Sequence, residues 1–551
     1  MKQIAKQVLP ILGLTLLTLN VNAQKGNDKE PAVELSKDFS YSLSKPYLVI
    51  DGRTKEYFGQ KDALIAVKFQ GKKCIIQKFE GKTLNEIKRK EYEDFPDGFV
   101  EEDVLELDNH YYVYYSVWDK KASKEQLYVR ELDFEKCAFK DKGSKIIEVD
   151  GKITGGAKLN FGTGISFSIA KKFAFEKSFD NSKLLIKYRK VPEKKNDKIS
   201  FDQIGMYAYD SEMNEISGQL VKMPYTEAEM NNLAYTIDSD GDIYILTEVM
   251  KNGKTKRYEK DGTANFDVKL LTVDKGKTDA SSVKVELTGK VINQIGFFEG
   301  PKGELYVAGY YGNAKKSVAY STDGMFYFTM DASGELNNAI DVEIPVNIMK
   351  QYTSERSQKK MDKKEDDGDD LSMSNMILRN LIVDSDGSVV FVGEKHYSVT
   401  TTDSKGNQRT TYYYQNMLMA KLSKDGELLW MNQLPKSQSG GSPRGGMGYK
   451  YMQSGDSHYV LFLDHVANVT LGLSEIPKRH SDGAGGYLTG FKVDDNTGKI
   501  TRFSILDTRN AQGIGLHQFN TSRIVELSAN KFALECYKKD KEDIMITIDV
   551  K

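Results

Sequence analysis

Leu381-Ile382-Val383-Asp384-Ser385-Asp386-Gly387-Ser388-Val389-Val390-Phe391-Val392-Gly393 opens the stretch whose reading decides the fold. An apolar strand runs into a turn at Asp384 to Gly387, and a second apolar strand returns. After the polar residues 398–415 the pattern recurs. Met417-Leu418-Met419-Ala420-Lys421-Leu422 leads through Ser423-Lys424-Asp425-Gly426 into Leu428-Leu429-Trp430-Met431-Asn432-Gln433-Leu434. Asp, Asn and Gly supply the positive-φ backbone that short hairpins require. Four strands joined by tight turn, long connection and tight turn predict one antiparallel blade of a β-propeller.

The inner hairpin of this blade recurs along the chain. Its turns are Asp108-Asn109, Ser178-Phe179-Asp180-Asn181, Asp238-Ser239-Asp240-Gly241, Gly300-Pro301-Lys302-Gly303, Gly455-Asp456 and Ala529-Asn530. Spacings between turn markers run from 60 to 84 residues, against roughly 40–50 for a propeller blade with short loops, so connections have been lengthened. An earlier copy contains Ala63-Leu64-Ile65-Ala66-Val67, Cys74-Ile75-Ile76 and residues 85–92. The last copy has three clear strands, ending at Ile544-Met545-Ile546-Thr547-Ile548. Residues 35–43 or 47–50 are expected to supply its missing strand. The reading is all-β: a single β-propeller of four-stranded blades over residues 24–551, eight blades in number. Seven is the alternative, if the N-terminal strands mainly complete the final blade. Two separate β-domains would need a linker, and no stretch reads as one.

The first residues read as a signal peptide. Lys2 and Lys6 precede the apolar residues 8–19, and Val21-Asn22-Ala23 offers small residues for cleavage before Gln24. The apolar run is short for a bilayer span, and no Cys lies near the cleavage site. The chain is therefore expected to be exported, periplasmic or secreted, without a transmembrane segment. Its net charge of −1 gives no general pull toward nucleic acid. Cys74, Cys137 and Cys536 leave two options. One pair bridges, Cys74 with Cys137 being favoured, or all three are small buried hydrophobes.

The run Met417 to Trp430, with Ala-Lys-Leu before an Asp-Gly turn and then Leu-Trp, resembles bacterial β-propeller repeats of the exported type. The resemblance is confined to this blade. It implies that Gly426 turns the chain and Trp430 packs between blades, and that the fold is more often a binding or scaffold module than an enzyme.

Candidate chemistry is sparse. Ser423 to Trp430 approaches the Asp-box of sialidase-like propellers, but Gly426 follows Asp425 directly, and no arginine triad with a nucleophilic Tyr stands out. The Asp238 and Asp384 turns look like calcium-loop fragments, yet the strand after Gly241 and the missing twelfth-position Glu favour hairpin turns. Residues 360–370 carry Glu365-Asp366-Asp367-Gly368-Asp369-Asp370, read as a solvated, mobile loop. Six scattered His have no ligand spacing, so no metal and no cofactor are expected. Gly440-Gly441-Ser442-Pro443-Arg444-Gly445-Gly446 reads as a flexible loop, because it opens no helix.

Loop length locates function. The long connections 190–200, 251–264, 312–324, 347–375, 398–415, 436–448 and 466–485 all join second to third strands or one blade to the next, which places them on one rim. Loops on a rigid scaffold collect binding residues. Arg409, Tyr412, Tyr413 and Tyr414 in one loop, with Arg479 and His480 in another, are the candidate ligand-binding residues. The competing view is that the tyrosines begin a strand and pack in its sheet. The functional expectation is a monomeric, non-enzymatic binding or scaffold propeller recognising a protein or carbohydrate partner. The alternative is a hydrolase or lyase acting on polysaccharide at the central channel mouth, which a cluster of channel carboxylates with shifted pKa would favour.

Overall fold

The turn at Asp384 joins antiparallel strands Met376–Val383 and Val389–Thr402, and the turn at Ser423 joins Gln408–Leu422 to Leu428–Leu434. This four-stranded sheet is blade 6 of a β-propeller, seen here in a computed structural model. The structure describes residues 34–551 apart from 53, 156–159, 162–164, 167–170, 193–196, 254–255, 301–303, 315–319, 332–333, 338, 368–370 and 442–445. The proposed signal peptide, the turn residues 301–303 and part of the Gly440–Gly446 segment lie outside the described residues.

Among the described residues the strands form eight blades. Blade 1 is Thr54–Gln60, Ala63–Gln70, Lys73–Glu80 and Asn85–Tyr92. Blade 2 is Val100–Leu107, His110–Asp119 and Lys124–Asp133, with Ala138–Phe139 and Ser144–Asp150 on its outer strand. Blade 3 runs Ala174–Lys177, Lys183–Lys190, Phe201–Asp210 and Glu215–Thr226. Blade 4 is Met230–Ile237, Ile243–Met250, Phe266–Val273 and Ser281–Val285. Blade 5 is Lys290–Glu299, Leu305–Asn313, Gly324–Met330 and Ile340–Glu343. Blade 7 is Lys450–Ser454, Ser457–Asp464, Tyr487–Asp494 and Ile500–Asp507. Blade 8 takes Val525–Ser528, Lys531–Lys539 and Glu542–Val550 from the C-terminus, and Phe39–Leu43 from the N-terminus. Phe39 pairs with Val550 and Leu43 with Ile546.

The core sits between blades. Alternating strand residues give every sheet two apolar faces, and each face meets its neighbour. Val113 packs with Val67 and Ile76 between blades 1 and 2. Trp430 packs with Val460 and Phe462 between blades 6 and 7. Leu527 and Met545 pack with Leu64 and Phe79 between blades 8 and 1, which completes the circuit. Trp430 Nε1 also donates to Asp495 O at 2.8 Å, and Gly498, at φ +67, leaves no room beside the indole for a β-carbon.

Local chemistry explains the turns. Asp238 Oδ1 accepts from the backbone N–H groups of Asp240, Gly241 and Asp242, and Asp238 Oδ2 accepts from Tyr244 Oη at 3.0 Å. This carboxylate is engaged by its own hairpin. Cys74, Cys137 and Cys536 are buried free thiols, so the Cys74–Cys137 bridge is not formed.

Two expectations are corrected. Residues 398–415 are not a loop: strands Val389–Thr402 and Gln408–Leu422 continue as a paired ribbon, turning at Asp403 to Asn407. β-branched residues flank that turn, and Gly406 has φ +84, so strand propensity and turn chemistry agree. Residues 360–366 of the acidic segment are helical, and 368–370 lie outside the described residues. Helix α1 (Val346–Lys350) is followed by α2 (Glu355–Asp366). Ser354 Oγ caps α2 by accepting from Ser357 N–H, and Lys350 bridges to Asp362 at 2.7 Å and Glu365 at 2.6 Å. The N-cap and compensating lysine favour helix where charge alone suggested a solvated coil. Among the described residues no helix is long and apolar enough to cross a membrane.

Candidate functional site

The insertions of blades 5 to 7 meet over blade 6. Beyond a bulge at Lys395, the ribbon pairs His396 with Tyr414, Tyr397 with Tyr413 and Ser398 with Tyr412. Gln438–Gly440 adds to its edge opposite Tyr412–Tyr414, and His480–Ser481 adds in parallel to Gln438–Gly440. The result is a small cap sheet raised on the rim. The helical insertion buttresses it: Tyr352 Oη donates to Leu473 O at 2.5 Å, and Gln433 Nε2 donates to Ile348 O. A cleft of about 240 Å³ lies between them, lined by Tyr352, Met361, Lys395, Tyr397, Gln415 and Ile476.

The two faces of the cap differ, because successive strand residues point opposite ways. On one face Tyr397 and Tyr413 stack at 4.9 Å with ring planes 11° apart. The Arg479 guanidinium lies 5.1 Å over the Tyr413 ring. Both tyrosines are half-buried and Arg479 is exposed, so the stack is held yet remains accessible. On the other face His396 stacks on Tyr414 at 4.1 Å. Beneath lies a buried charged group: Lys436 Nζ is 2.7 Å from Glu394 and 3.0 Å from Gln438 Oε1, and Arg379 reaches Glu394 at 3.3 Å. Burial acts to raise the Glu394 carboxyl, but the Lys436 and Arg379 charges overcome it and hold the pKa below its ordinary value. Burial and the Glu394 charge push Tyr414 up to about 12.

The structure therefore sorts the candidate residues. Tyr413 and Arg479 touch, and half-buried Tyr412 neighbours them on the strand. Arg409 is exposed nearer the ribbon tip, away from the stack. Tyr414 and His480 are buried, at 6% and 1% exposed, and do not stand on the accessible face with Tyr413 and Arg479. Strand alternation turns Tyr414 inward, and the parallel pairing with Gln438 seals His480 beneath the cap. Tyr397, the other half of the stack, was missed. Its signal was the alternation His396-Tyr397-Ser398 facing Tyr412-Tyr413-Tyr414.

A ring of inner-strand bulges, three of them at polar residues, was also missed. Among the described residues, four innermost strands carry a bulge near the end away from the tight turn, beside Glu102, Leu233, Asn293 and Arg379. A bulge re-aims the side chain it carries. Glu102 accepts from Ser116 Oγ at 2.6 Å and from Lys172 N–H at 2.9 Å. Asn293 donates to Ser321 O at 2.9 Å. No local residue type announces these bulges.

The innermost strands of blades 8, 1 and 2 touch in turn, and those of blades 1 and 2 carry Glu56, Glu101 and Asp103. Glu56 is exposed to the channel, where the surrounding protein and then the Asp103 charge raise it to about 7. Glu101 and Asp103 are raised by burial too, with Lys171 3.8 Å from Asp103. Among the described residues no group of three or more His, Cys, Asp or Glu converges as a metal site.

The cap also predicts acid sensitivity. His396 and His480 are buried, and among the described residues His480 has no hydrogen-bond partner on either ring nitrogen. Burial pushes both imidazoles down to about 4, helped by Arg379 at His396 and opposed by Asp482 at His480. His465 and Lys436 also disfavour charge at His480. A depressed imidazole is neutral in the fold while the unfolded chain takes up a proton, so its contribution to stability falls as pH drops from 6.5 toward about 4. Relative to His480→Leu, the natural chain should lose up to about 3 kcal/mol across that window. Thermal melts of both chains across the window check this, and a constant difference would contradict it. Groups with raised pKa, such as Glu56, act oppositely but are common to both chains.

These features define an eight-bladed β-propeller with a built-up cap on one rim. No family model matches the sequence, and no curated protein matches it. Solved structures similar to it include one described in a study of two prolyl endopeptidases, at 11% identity and TM-score 0.35, over 92% of this chain and 55% of that one. The β-propeller domain of the Trilobed protease from Pyrococcus furiosus is similar at 11% identity and TM-score 0.31, over 83% of this chain and 95% of that one. A protein of unknown function from Bacteroides caccae is similar at 9% identity and TM-score 0.24, over 68% of this chain and 94% of that one. This chain thus spans about half the length of the endopeptidase chain.

Proposed function

We propose that the chain is an exported, non-enzymatic binding or scaffold propeller, working as a monomer, whose cap recognises a protein or carbohydrate partner. The observation that carries this reading is the Tyr397–Tyr413 stack under the exposed Arg479. Tyr and Arg are the residues in which binding energy concentrates. Tyr rings offer an apolar face with a hydroxyl at its edge, suited to sugar or peptide. The buried Glu394–Lys436 pair beneath fixes the ribbon, so little ordering is required on binding.

The test is Tyr413→Ala with Arg479→Ala. Capture of glycans on an array, and of proteins from an envelope extract, should weaken by about tenfold or more, a loss of roughly 1.4 kcal/mol. The melting temperature should stay nearly unchanged. Loss of stability by roughly 1–3 kcal/mol, with capture following unfolding, would make the stack a packing feature instead.

The polysaccharide hydrolase or lyase reading is favoured by one observation, the raised Glu56 on the channel wall beside Glu101 and Asp103. A carboxylic acid held near neutrality suits a general acid. Polysaccharide turnover that disappears in Glu56→Gln would favour that reading.

A further inference from the structure

A second cleft, of about 290 Å³, opens between blades 3 and 4 on the rim that carries the cap. Its two guanidinium groups are neutralised within the protein: Arg189 meets Asp202 at 2.5 Å, and Arg257 meets the buried Glu248 at 2.5 Å. The remaining charge is Glu227, a half-buried carboxylate in the turn between the blades, with no ion pair among the described residues. The lining side chains therefore carry a net charge of about −1, and the Lys269 ammonium stands behind them, 2.6 Å from Tyr225 Oη.

Its floor holds a buried acceptor. Asn232 is 9% exposed and stands next to the bulge in the innermost strand of blade 4. Asn232 Nδ2 donates to Tyr235 Oη at 2.7 Å, while Asn232 Oδ1 has no partner among the described residues. A buried polar atom without a partner is costly, and a ligand that pairs with it gains accordingly. The apolar lining is largely methionine, Met223, Met230 and Met250, whose flexible thioethers mould to a straight methylene chain.

We propose that this cleft binds a primary alkylammonium group, with the charge facing Glu227, an N–H donated to the Asn232 amide, and the methylene stem lying on the methionines. An ammonium is a compact point charge with several donors, whereas a guanidinium is a wide planar fork. The group could be carried by a lysine side chain of a polypeptide or by a free diamine.

Calorimetric titration of the full chain with Nα-acetyl-lysine N-methylamide, with 1,5-diaminopentane and with 1-pentanol tests the site. Both amines should bind saturably at one site, more weakly as salt rises, and pentanol should not. Glu227→Gln should weaken both by about tenfold or more without moving the melting temperature. Tighter binding of the lysine amide assigns the group to a polypeptide lysine, and tighter binding of the diamine to a free amine. Absence of saturable amine binding at about 10 mM, equal binding of pentanol, or unchanged affinity in Glu227→Gln would overturn the assignment.

Discussion

Removal of residues 543–551 should abolish cooperative unfolding. The strand Glu542–Val550 pairs with Lys531–Lys539 on one side and with Phe39–Leu43 on the other, and Tyr47–Leu48 also joins it. Ile544, Met545, Ile546 and Ile548 are fully buried and shared between the blade 7–8 and blade 8–1 cores. Without the strand the N-terminus has no partner, two inter-blade cores lose their apolar filling, and an unpaired edge is exposed. The truncated chain should melt broadly or aggregate, measured by calorimetry and light scattering. A sharp transition at the parent temperature would contradict closure of the ring through this strand.

Glu535→Ala should cost roughly 3–5 kcal/mol, because it leaves a buried cation unpaired. Glu535, in blade 8, faces the inner strands of blade 1 at 1% exposure. It accepts from Tyr47 Oη at 2.7 Å, Tyr57 Oη at 2.6 Å and Lys55 Nζ at 3.3 Å, and pairs with the fully buried Lys68. Burial acts to raise this carboxyl, but Lys68 and Lys55 prevail and hold it at about 2, so it is ionised at neutral pH. Asp543 beside it is pushed up to about 6 by burial and by the Glu535 charge. The alanine variant strands Lys68 and two phenols, while a paired change with Lys68→Met should recover part of the loss. Chemical denaturation measures both. A single variant within about 0.5 kcal/mol of the parent would remove this group as the ring's polar seam.

What the sequence made legible follows local chemistry. Asp-Gly and Asn turns between apolar strands are encoded within a few residues, so the hairpins around Asp240 and Asp386, the all-β class and the eight blades could be read directly. The ribbon at 398–415 was encoded in the same way. Asp403-Ser404-Lys405-Gly406-Asn407 has the turn chemistry of Asp384-Ser385-Asp386-Gly387, but the polar residues around it do not look like a strand buried on both faces. The edge strands at Gln438 and His480 are set by tertiary pairing and carry no periodicity of their own. The inner-strand bulges are likewise a product of ladder geometry. Within the candidate site, Tyr413 and Arg479 could be selected by residue type. The sorting of Tyr413 outward and Tyr414 inward depends on register, since one step along a strand reverses the face.

The most direct test of the account places a photo-crosslinking phenylalanine analogue at position 397 in the cap, and in a separate chain at position 240, an exposed turn on the opposite rim. Irradiation is carried out with the captured glycan or envelope protein bound. A covalent adduct is expected from position 397, lost in the Tyr413→Ala, Arg479→Ala background, and none is expected from position 240. An adduct formed from position 240 and not from position 397 would contradict it.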